Sequence, residues 1–416
     1  MSREEKTIVF FSAASHFFAH FYILLFPPLV MPLSRELGLP LAKVVDLSFS
    51  MYLLYGLVAI PWGILSDRVG HKWAMSLGVI IAGLGMFLAG AASYTGASLF
   101  LFSGALALVG IGCSSYHPSG MALVSQGVTQ RGRALGIVGI AGNSGIATVP
   151  FTVGILNYFL GWQNGLMLLG GQGIALGMGI MVAPLSVEKG KDKIRINQLK
   201  KEHAGKLFFI FLIGILFGGL MFRSFTVILP AYLEHELGSI IEVFREFAAG
   251  RYSSLEDIPA FNTLTANLVA TAVYVVGIFG QFVGGRVADR FSLKWAYFLY
   301  FCIAAPFLAG IALFPSVWII VFSGIFVFFM LGMQPIENSL IAFLTPPHWR
   351  SVSYGIKFMV GFGAGAFAIK LISAVESAYG IRSVIWLIGL FLLLMILSLG
   401  FFMLAGRGMK IDQKEQ

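Results

Sequence analysis

Long apolar runs separated by short polar loops occupy almost the whole of this 416-residue chain. A helix that crosses a membrane needs roughly 20 consecutive, mostly apolar residues. The pattern predicts an all-α membrane protein with twelve such helices, near residues 7–33, 43–65, 73–93, 98–124, 134–160, 163–185, 206–231, 264–288, 293–314, 316–344, 351–377 and 381–406.

One short charged loop occurs twice at matching positions. The segment GILSDRVGHKWA at residues 63–74 returns as GRVADRFSLKWA at residues 285–296, and each copy ends one apolar segment and begins the next. Such a repeat predicts two similar helical halves that face each other, an arrangement common in secondary transporters. We therefore expect two six-helix bundles, residues 1–185 and 207–416, joined by a basic linker at 186–206.

Composition and charge support a membrane protein rather than a nucleic-acid-binding one. Only 11% of residues are charged, whereas soluble domains average about a quarter. The net charge of +9 is concentrated in the linker, the short loops and the tail. By the positive-inside rule these segments, and both termini, are cytoplasmic, which predicts a multi-pass protein of the inner (plasma) membrane. Cys113 and Cys302 both fall inside predicted spans and indicate no disulfide.

The second half contains an extra stretch before its second helix. The distance from Gly238 to Asp289 exceeds that from Gly38 to Asp67, which places an insertion near residues 239–262 on the external side. Its apolar residues have a helical spacing. Two interpretations remain open for this insertion, a surface helix on the bilayer and a lid over the outer mouth.

The two charged loops resemble the signature of the major facilitator superfamily, which reads Gly, three residues, Asp, Arg, any residue, Gly, Arg or His, Lys. The second copy departs from it with Ser292 and Leu293. The resemblance implies the twelve-helix fold of that superfamily and alternating access.

A carboxylate at a helix end can pair with the N-terminus of a neighbouring helix and with a nearby guanidinium, forming a latch that can open. We expect Asp67 to face the start of helix eleven, and Asp289 to face the start of helix five. In the alternative interpretation the basic residues, Lys294 among them, only anchor helix ends at lipid headgroups. The predicted gating residues are Asp67, Arg68, Lys72, Arg131, Arg133, Asp289, Arg290 and Arg350.

Helices one, four and five carry a narrower resemblance. The segments SHFFAH at 15–20, GIGCSSYHP at 110–118, RGRALG at 131–136 and GNSG at 142–145 look like the fosmidomycin-resistance-type branch, whose members are proton-driven exporters of a phosphonate antibiotic. This chain has His20 where that branch tends to carry an acidic residue. Pro150 follows Val149 instead of the glycine of the antiporter motif, so the motif does not establish export.

Four charged side chains lie away from the ends of predicted spans: Arg223 in helix seven, Glu337 in helix ten, and Lys357 and Lys370 in helix eleven. A charge at bilayer depth costs a few kcal/mol or more and usually faces a cavity. Counted from the loop between helices ten and eleven, Glu337 and Lys357 reach a similar depth. They are predicted to form an ion pair, which could carry protons or only fix the packing.

Arg223 and Lys370 are then left without a carboxylate at their depth, because Asp46 and Glu376 lie near the outer ends of their helices. Excess positive charge in a water-filled cleft stabilises an anion. The alternatives are a structural arginine that caps loose carbonyls and a lysine that extends to the membrane surface. The predicted substrate-binding residues are Arg223, Lys370, His20, Tyr22, Tyr116 and Asn143, with Tyr52 and Trp62 as further candidate liners.

Three histidines, His16, His20 and His117, also fall inside spans, where a side chain that titrates near neutrality suits proton coupling. Together with Glu337 they are the predicted proton-coupling residues. His117 could instead bond the carbonyls that Pro118 frees, and the other two could only pack between helices. The i, i+4 spacing of His16 and His20 permits a metal, but without acidic partners we predict no metal site.

These features predict a secondary carrier for a small organic anion, of carboxylate or phosphonate and organophosphate type, coupled to protons or to a counter-anion. The alternative within transport is a proton-driven drug exporter. Motifs for nucleotide binding, metalloproteases and serine nucleophiles are missing from the sequence, which disfavours an enzyme. We expect a monomer in the lipid bilayer that needs no cofactor and binds no nucleic acid.

Overall fold

The computed structural model of the chain consists of α-helices joined by short turns. It describes residues 1–94, 99–185, 201–249, 258–345 and 350–407, and no β-strand occurs within these ranges. The predicted all-α class is therefore confirmed.

The first half has nine helices in the described ranges, with a short 3₁₀ turn at Pro27–Leu29. They are α1 Arg3–Ile23, α2 Val30–Leu37, α3 Leu41–Asp46, α4 Phe49–Leu57, α5 Ala59–Val69, α6 His71–Tyr94, α7 Leu99–Cys113, α8 Tyr116–Gly127 and α9 Arg131–Val182.

The second half has nine described α-helices as well, with a π-helical segment at Met359–Gly363 and a 3₁₀ turn at Ala364–Ala366. They are α10 Lys201–Glu236, α11 Gly238–Ala249, α12 Ile258–Arg290, α13 Leu293–Leu313, α14 Val317–Gly332, α15 Gln334–Leu344, α16 Arg350–Phe358, α17 Phe367–Tyr379 and α18 Ile381–Ala405.

Ten stretches of the described chain are long and apolar enough to cross a membrane. One of them, Arg133–Val182, has 50 residues and turns at Gly161, whose φ of 75° and ψ of 152° suit glycine. A further span, Leu41–Val69, is bent by 48° between α4 and α5. The long stretch counts as two spans when it is divided at Gly161, and the bent pair of α4 and α5 adds another. The total is twelve spans in two bundles of six, as predicted.

Besides the bent span Leu41–Val69, three spans are interrupted near their middle. Helix α7 gives way to α8 across Ser114 and Ser115, α14 to α15 at Met333, and α16 to α17 across the π-helical segment. Within a membrane, irregular backbone is tolerated only where protein or a water-filled cavity satisfies its polar groups. These interruptions therefore mark the interior that the site occupies.

Glycines allow the closest helix contacts. A methyl group on Gly280 would meet the carbonyl of Phe328, and one on Gly284 would meet the carbonyl of Gly332. Small residues at such positions let α12 and α14 approach backbone to backbone, which is how membrane helices gain packing contacts.

The two halves are tied together at the side away from the Asp-Arg loops, here called the far side. Arg35 at the end of α2 forms an ion pair with Glu234 of α10, and its Nη1 donates to Thr263 Oγ1 of α12 at 3.0 Å. Asp46 at the end of α3 lies 3.2 Å from Lys370 Nζ and accepts a 2.8 Å hydrogen bond from Ser373 Oγ of α17. Both clusters join the first half to the second.

The opposite side, here called the Asp-Arg side, has no comparable tie. Asp67, Arg68, Asp289 and Arg290 are all exposed. Between described residues, no hydrogen bond or ion pair joins the two halves at this side. In this conformation the ion pairs between the halves lie at the far side.

Two predicted segments fall partly outside the described residues. Of the linker 186–206, residues 186–200 lie outside, and α10 already begins at Lys201 rather than after residue 206. Of the insertion 239–262, residues 250–257 lie outside, while α11 forms an amphipathic helix with Val243, Phe244 and Phe247 exposed. An exposed apolar face beside the end of a span is the form expected of a surface helix.

The packing of α12 on α14 generates a test with a built-in control. Gly284→Ala should destabilise the protein by about 1–3 kcal/mol, because its methyl group meets a fixed backbone carbonyl. The neighbouring Gly285→Ala has open space and should be neutral or slightly stabilising. Thermal unfolding in detergent measures both, and equal midpoints for the two variants would contradict this packing.

Candidate functional site

A cavity of about 380 Å³ lies between the two halves. Residues of both bundles line it, and the interrupted spans contribute many of them. The lining residues are His16, His20, His117, Met121, Leu135, Gly139, Asn143, Ile215, Gly218, Gly219, Phe222, Gln281, Met333, Gln334, Pro335, Glu337, Asn338, Lys357, Phe358, Gly361 and Phe362.

The interruptions in the helices place several of the polar side chains of the cavity. His117 stands in the first turn of α8, directly after the break that follows α7. Gln334 and Glu337 stand in the first turn of α15, after the break at Met333. Lys357 lies in the last turn of α16, just before the π-helical segment. Segments of this kind recur at functional sites because they redirect side chains that a regular helix would hide.

Glu337 and Lys357 form the ion pair that their depth in the sequence suggested. Lys357 Nζ lies 2.6 Å from Glu337 Oε1 and donates to Asn338 Oδ1 at 2.7 Å. The Tyr297 hydroxyl donates to the other carboxylate oxygen of Glu337. Both charged side chains are buried, so each depends on these partners in place of water.

The three histidines predicted in separate parts of the sequence meet at one wall of the cavity. The ring of His16 lies 4.7 Å from that of His20 and 5.4 Å from that of His117, measured between centroids. Helix α1 supplies the first two, one turn apart, and α8 supplies the third. Gly142 of α9 lets this helix approach His16, since a methyl group there would meet the imidazole ring.

Arg223 of α10 lies directly behind the cavity wall and is 1% exposed. Its guanidinium stacks over the ring of Tyr52 at 3.8 Å, a cation–π contact across the two halves. Its Nε and Nη1 have no hydrogen-bond partner. The adjacent residue, Phe222, lines the cavity. Arg223, predicted to bind substrate, is not itself among the lining residues. Burying a guanidinium with unused donors is costly.

Three amide side chains join the two halves in the cavity. Asn143 of α9 donates to Gln281 of α12, and Gln281 Nε2 donates to Asn143 Oδ1 at 2.9 Å and to Gln334 Oε1 at 2.8 Å. The sequence prediction included Asn143 but missed both glutamines. The available signal was a polar residue in an otherwise apolar span, four positions before the repeated loop begins at Gly285.

The expectation that Lys370 lacks a carboxylate partner is wrong, since Asp46 pairs with it at 3.2 Å. Lys370 is absent from the cavity lining and belongs to the far-side contact. The prediction failed because it ranked residues by depth along their own helices. Adjacent helices bring the outer end of span two and the outer part of span eleven together.

Four aromatic residues that the sequence suggested as liners lie outside the cavity lining. Tyr22 donates to the Leu169 carbonyl at 2.6 Å, and Trp62 donates to the Ile111 carbonyl at 2.7 Å, so both fix helix packing. Tyr116 stacks on His16 and Tyr52 on Arg223, which places these two rings behind residues of the site.

The predicted gating residues lie at the Asp-Arg side, away from the cavity. Lys72 Nζ donates to the Ala183 carbonyl at 2.7 Å. This contact lies within the first half and caps the C-terminal end of α9. Arg133 is exposed. The side chains of Arg131 and Arg350 lie outside the described residues, so the expected latch partners of both aspartates remain predictions.

The fold matches known transporter structures along its whole length. Two crystal structures of a bacterial homologue of the human lysosomal transporter Spinster, described as inward-facing and either occupied or unoccupied, superpose with TM-scores of 0.71 and 0.70. The first match covers 100% of both chains and the second 98% of both, each at 16% sequence identity. At this identity the likeness shows the fold alone.

Sequence comparison gives two further matches. The chain is 26% identical to the probable L-galactonate transporter of Escherichia coli K12 over 151 residues, which is 36% of this chain and about a third (32%) of that relative's length. The family model described as Major Facilitator Superfamily matches residues 9–240 and again residues 211–415. With two halves that each match this model and a transporter fold along its whole length, the chain belongs to the Major Facilitator Superfamily of membrane transporters.

Proposed function

We propose that this transporter moves a small organic anion across the membrane by alternating access, in a proton-coupled cycle. The observation that carries the proposal is Arg223, a buried guanidinium beside the central cavity with two unpartnered donor nitrogens. Its charge has no described carboxylate within ion-pair distance. A carboxylate or phosphonate in the cavity would supply the missing acceptor through the paired geometry that guanidinium groups favour.

The remaining charges of the cavity support a net attraction for anions. Glu337 and Lys357 neutralise each other at 2.6 Å, which leaves the positive charge of Arg223 uncompensated. A cleft with low-dielectric walls focuses such a field and raises the local concentration of counter-ions. A monovalent anion would therefore restore neutrality inside the bundle.

The amide cluster supports a substrate with several hydroxyl groups. Asn143, Gln281 and Gln334 present both donors and acceptors to the cavity, which suits groups that also donate and accept. A sugar acid combines such hydroxyls with one carboxylate. The similarity to a probable L-galactonate transporter points to the same class of compound.

Phosphonates form a second candidate class. The histidines and Asn143, which carry the resemblance to the fosmidomycin-resistance branch, line the same cavity. A phosphonate satisfies the requirement for an anion as a carboxylate does, so competition between the two classes in one assay separates them.

Coupling to protons is assigned to the ion pair and the histidines. Protonation of Glu337 would break its pair with Lys357 and free the lysine in the cavity wall, linking proton binding to the charge that the substrate meets. His16, His20 and His117 are the other groups in the lining that can hold a proton.

The conformation fits one end of an alternating-access cycle. The Arg35–Glu234 and Asp46–Lys370 pairs hold the far side together, while the Asp-Arg side has no such tie between described residues. With both termini in the cytoplasm, as the charge distribution favours, the Asp-Arg side is cytoplasmic. The latch of Asp67 and Asp289 would then form only when that side closes.

Substitution of Arg223 tests the anion site. Arg223→Ala should raise the dissociation constant for a sugar-acid anion by about 10- to 100-fold, because a charge-assisted hydrogen bond is worth about 1.5–3 kcal/mol. Arg223→Lys should restore only part of the affinity, since lysine keeps the charge but lacks the paired donor nitrogens of a guanidinium. Isothermal titration of the purified variants measures both constants.

Lys370→Ala is the matched control for this test. It removes a cation that already has a carboxylate partner and does not line the cavity, so binding should stay within about twofold of the parent. Parental affinity in a well-folded Arg223→Ala variant would reject the anion site, as would equal losses in Arg223→Ala and Lys370→Ala.

Proton coupling is tested with Glu337→Gln. This variant keeps the size of the side chain and removes the group that would take the proton, so a pH gradient should no longer drive accumulation in proteoliposomes. Exchange of labelled for unlabelled substrate needs no net proton movement and should persist. Undiminished pH-driven accumulation would exclude Glu337 as the coupling group.

The latch is tested with Asp67→Asn and Asp289→Asn. Both aspartates are exposed and have no described partner in this conformation, so neither variant should alter folding or substrate affinity. When the Asp-Arg side closes, each variant would lack the interaction between an aspartate charge and a helix terminus, which is worth about 0.3–1 kcal/mol. This loss corresponds to turnover slowed by about two- to fivefold. Parental transport rates in both variants would remove the latch from the mechanism.

A further inference from the structure

Three imidazoles with free ring nitrogens converge on one point of the cavity wall. His16 and His20 come from adjacent turns of α1, and His117 comes from the first turn of α8. One ligand nitrogen of each ring lies within 4.8 Å of the other two. The Glu337–Lys357 ion pair and its hydrogen bonds use none of these nitrogens.

The three imidazole nitrogens are spaced almost as closely as ligands around a bound metal ion. Three atoms that are no more than 4.8 Å apart all lie within about 2.8 Å of a common point, whereas zinc–nitrogen bonds measure about 2.0–2.1 Å. Each ring nitrogen would therefore move inward by less than about 1 Å, which small side-chain rotations can supply. Three protein ligands leave at least one coordination position open to the cavity.

In two of the rings one nitrogen has a hydrogen-bond partner, which leaves the other nitrogen for coordination. His16 Nδ1 lies 2.8 Å from the Val138 carbonyl, which only accepts, so Nδ1 carries the proton and Nε2 keeps its lone pair. That Nε2 is buried without any hydrogen-bond partner. His117 Nε2 contacts the Tyr55 hydroxyl at 3.2 Å. Metal-binding histidines almost always have such a partner on their second nitrogen.

Aromatic neighbours hold the rings in place. Tyr116 stacks on His16 with centroids 4.4 Å apart, and Phe358 of the second half stacks on His117 at 4.2 Å. Rings clamped in this way lose little further freedom when an ion binds, which favours affinity.

We propose that His16, His20 and His117 form a binding site for a divalent transition-metal ion of the zinc type. Imidazole nitrogen is a ligand that zinc, cobalt and nickel share, while calcium and magnesium prefer oxygen. The ion occupies the cavity wall with its open position toward the substrate space. Metal binding requires neutral imidazoles, so protons and the metal compete for the same three rings.

Titration of Zn²⁺ into the full-length, tag-free protein in detergent tests the site. One ion per chain should bind, and His16→Gln, His20→Gln and His117→Gln should each weaken it by at least about tenfold. Co²⁺ provides an independent signal, because a site with nitrogen ligands and low coordination number gives visible absorption far stronger than the aqueous ion. His235→Gln is the matched control, since His235 is exposed and lies outside the cluster.

Tyr55→Phe is a conservative variant that tests the site even where a histidine variant misfolds. It removes only the hydroxyl group next to His117 and should lower the Zn²⁺ affinity while a monodisperse elution profile is retained. Zn²⁺ binding that survives all three histidine substitutions, or that is lost in His235→Gln, would overturn the proposal. So would an unchanged aqueous Co²⁺ spectrum in the parent protein.

Discussion

A guanidinium buried inside a membrane protein must have its charge balanced, and this requirement organises the site. Arg223 is 1% exposed, stacks on Tyr52 and leaves two donor nitrogens without partners. An uncompensated buried charge costs several kcal/mol, so such a group persists where a ligand or a second conformation offsets the cost. In this transporter the adjacent cavity is the place from which an anion can do so.

The other buried charges differ from Arg223 because the protein pairs them itself. Glu337 and Lys357 neutralise each other in the cavity wall, and Arg35 with Glu234 joins the halves at the far side. Under the proposed alternating access, the pairs between the halves would open when the far side opens, while the Glu337–Lys357 pair lies within the second half and need not. In the proposed mechanism the paired charges therefore serve conformation and proton coupling, and the unpaired charge of Arg223 serves substrate recognition.

The sequence predicted those parts that depend on composition along one helix. The length of the apolar runs predicted the twelve spans, and the repeated charged loop predicted the two halves. The similar depth of Glu337 and Lys357 in their helices predicted that they pair. What depends on neighbouring helices was missed. The partner of Lys370 and the glutamines that meet Asn143 became visible only once the helices were packed.

The convergence of the histidines had the same origin. Their roles were predicted one residue at a time, and the i, i+4 spacing brought only His16 and His20 together. His117 joins them from the first turn of α8, which two residues separate from the end of α7, a break that no periodicity in the sequence marks. The interruption between α7 and α8 therefore brings a third histidine to a pair that one regular helix supplies.

The central claim is that the buried charge selects a substrate by its negative charge. The most direct measurement compares uptake of L-galactonate into proteoliposomes with competition by galactitol, which has a neutral hydroxymethyl group in place of the carboxylate. The account predicts saturable galactonate uptake that excess galactitol leaves unchanged and that other sugar-acid anions reduce. Competition by galactitol as strong as that by the anions would contradict it.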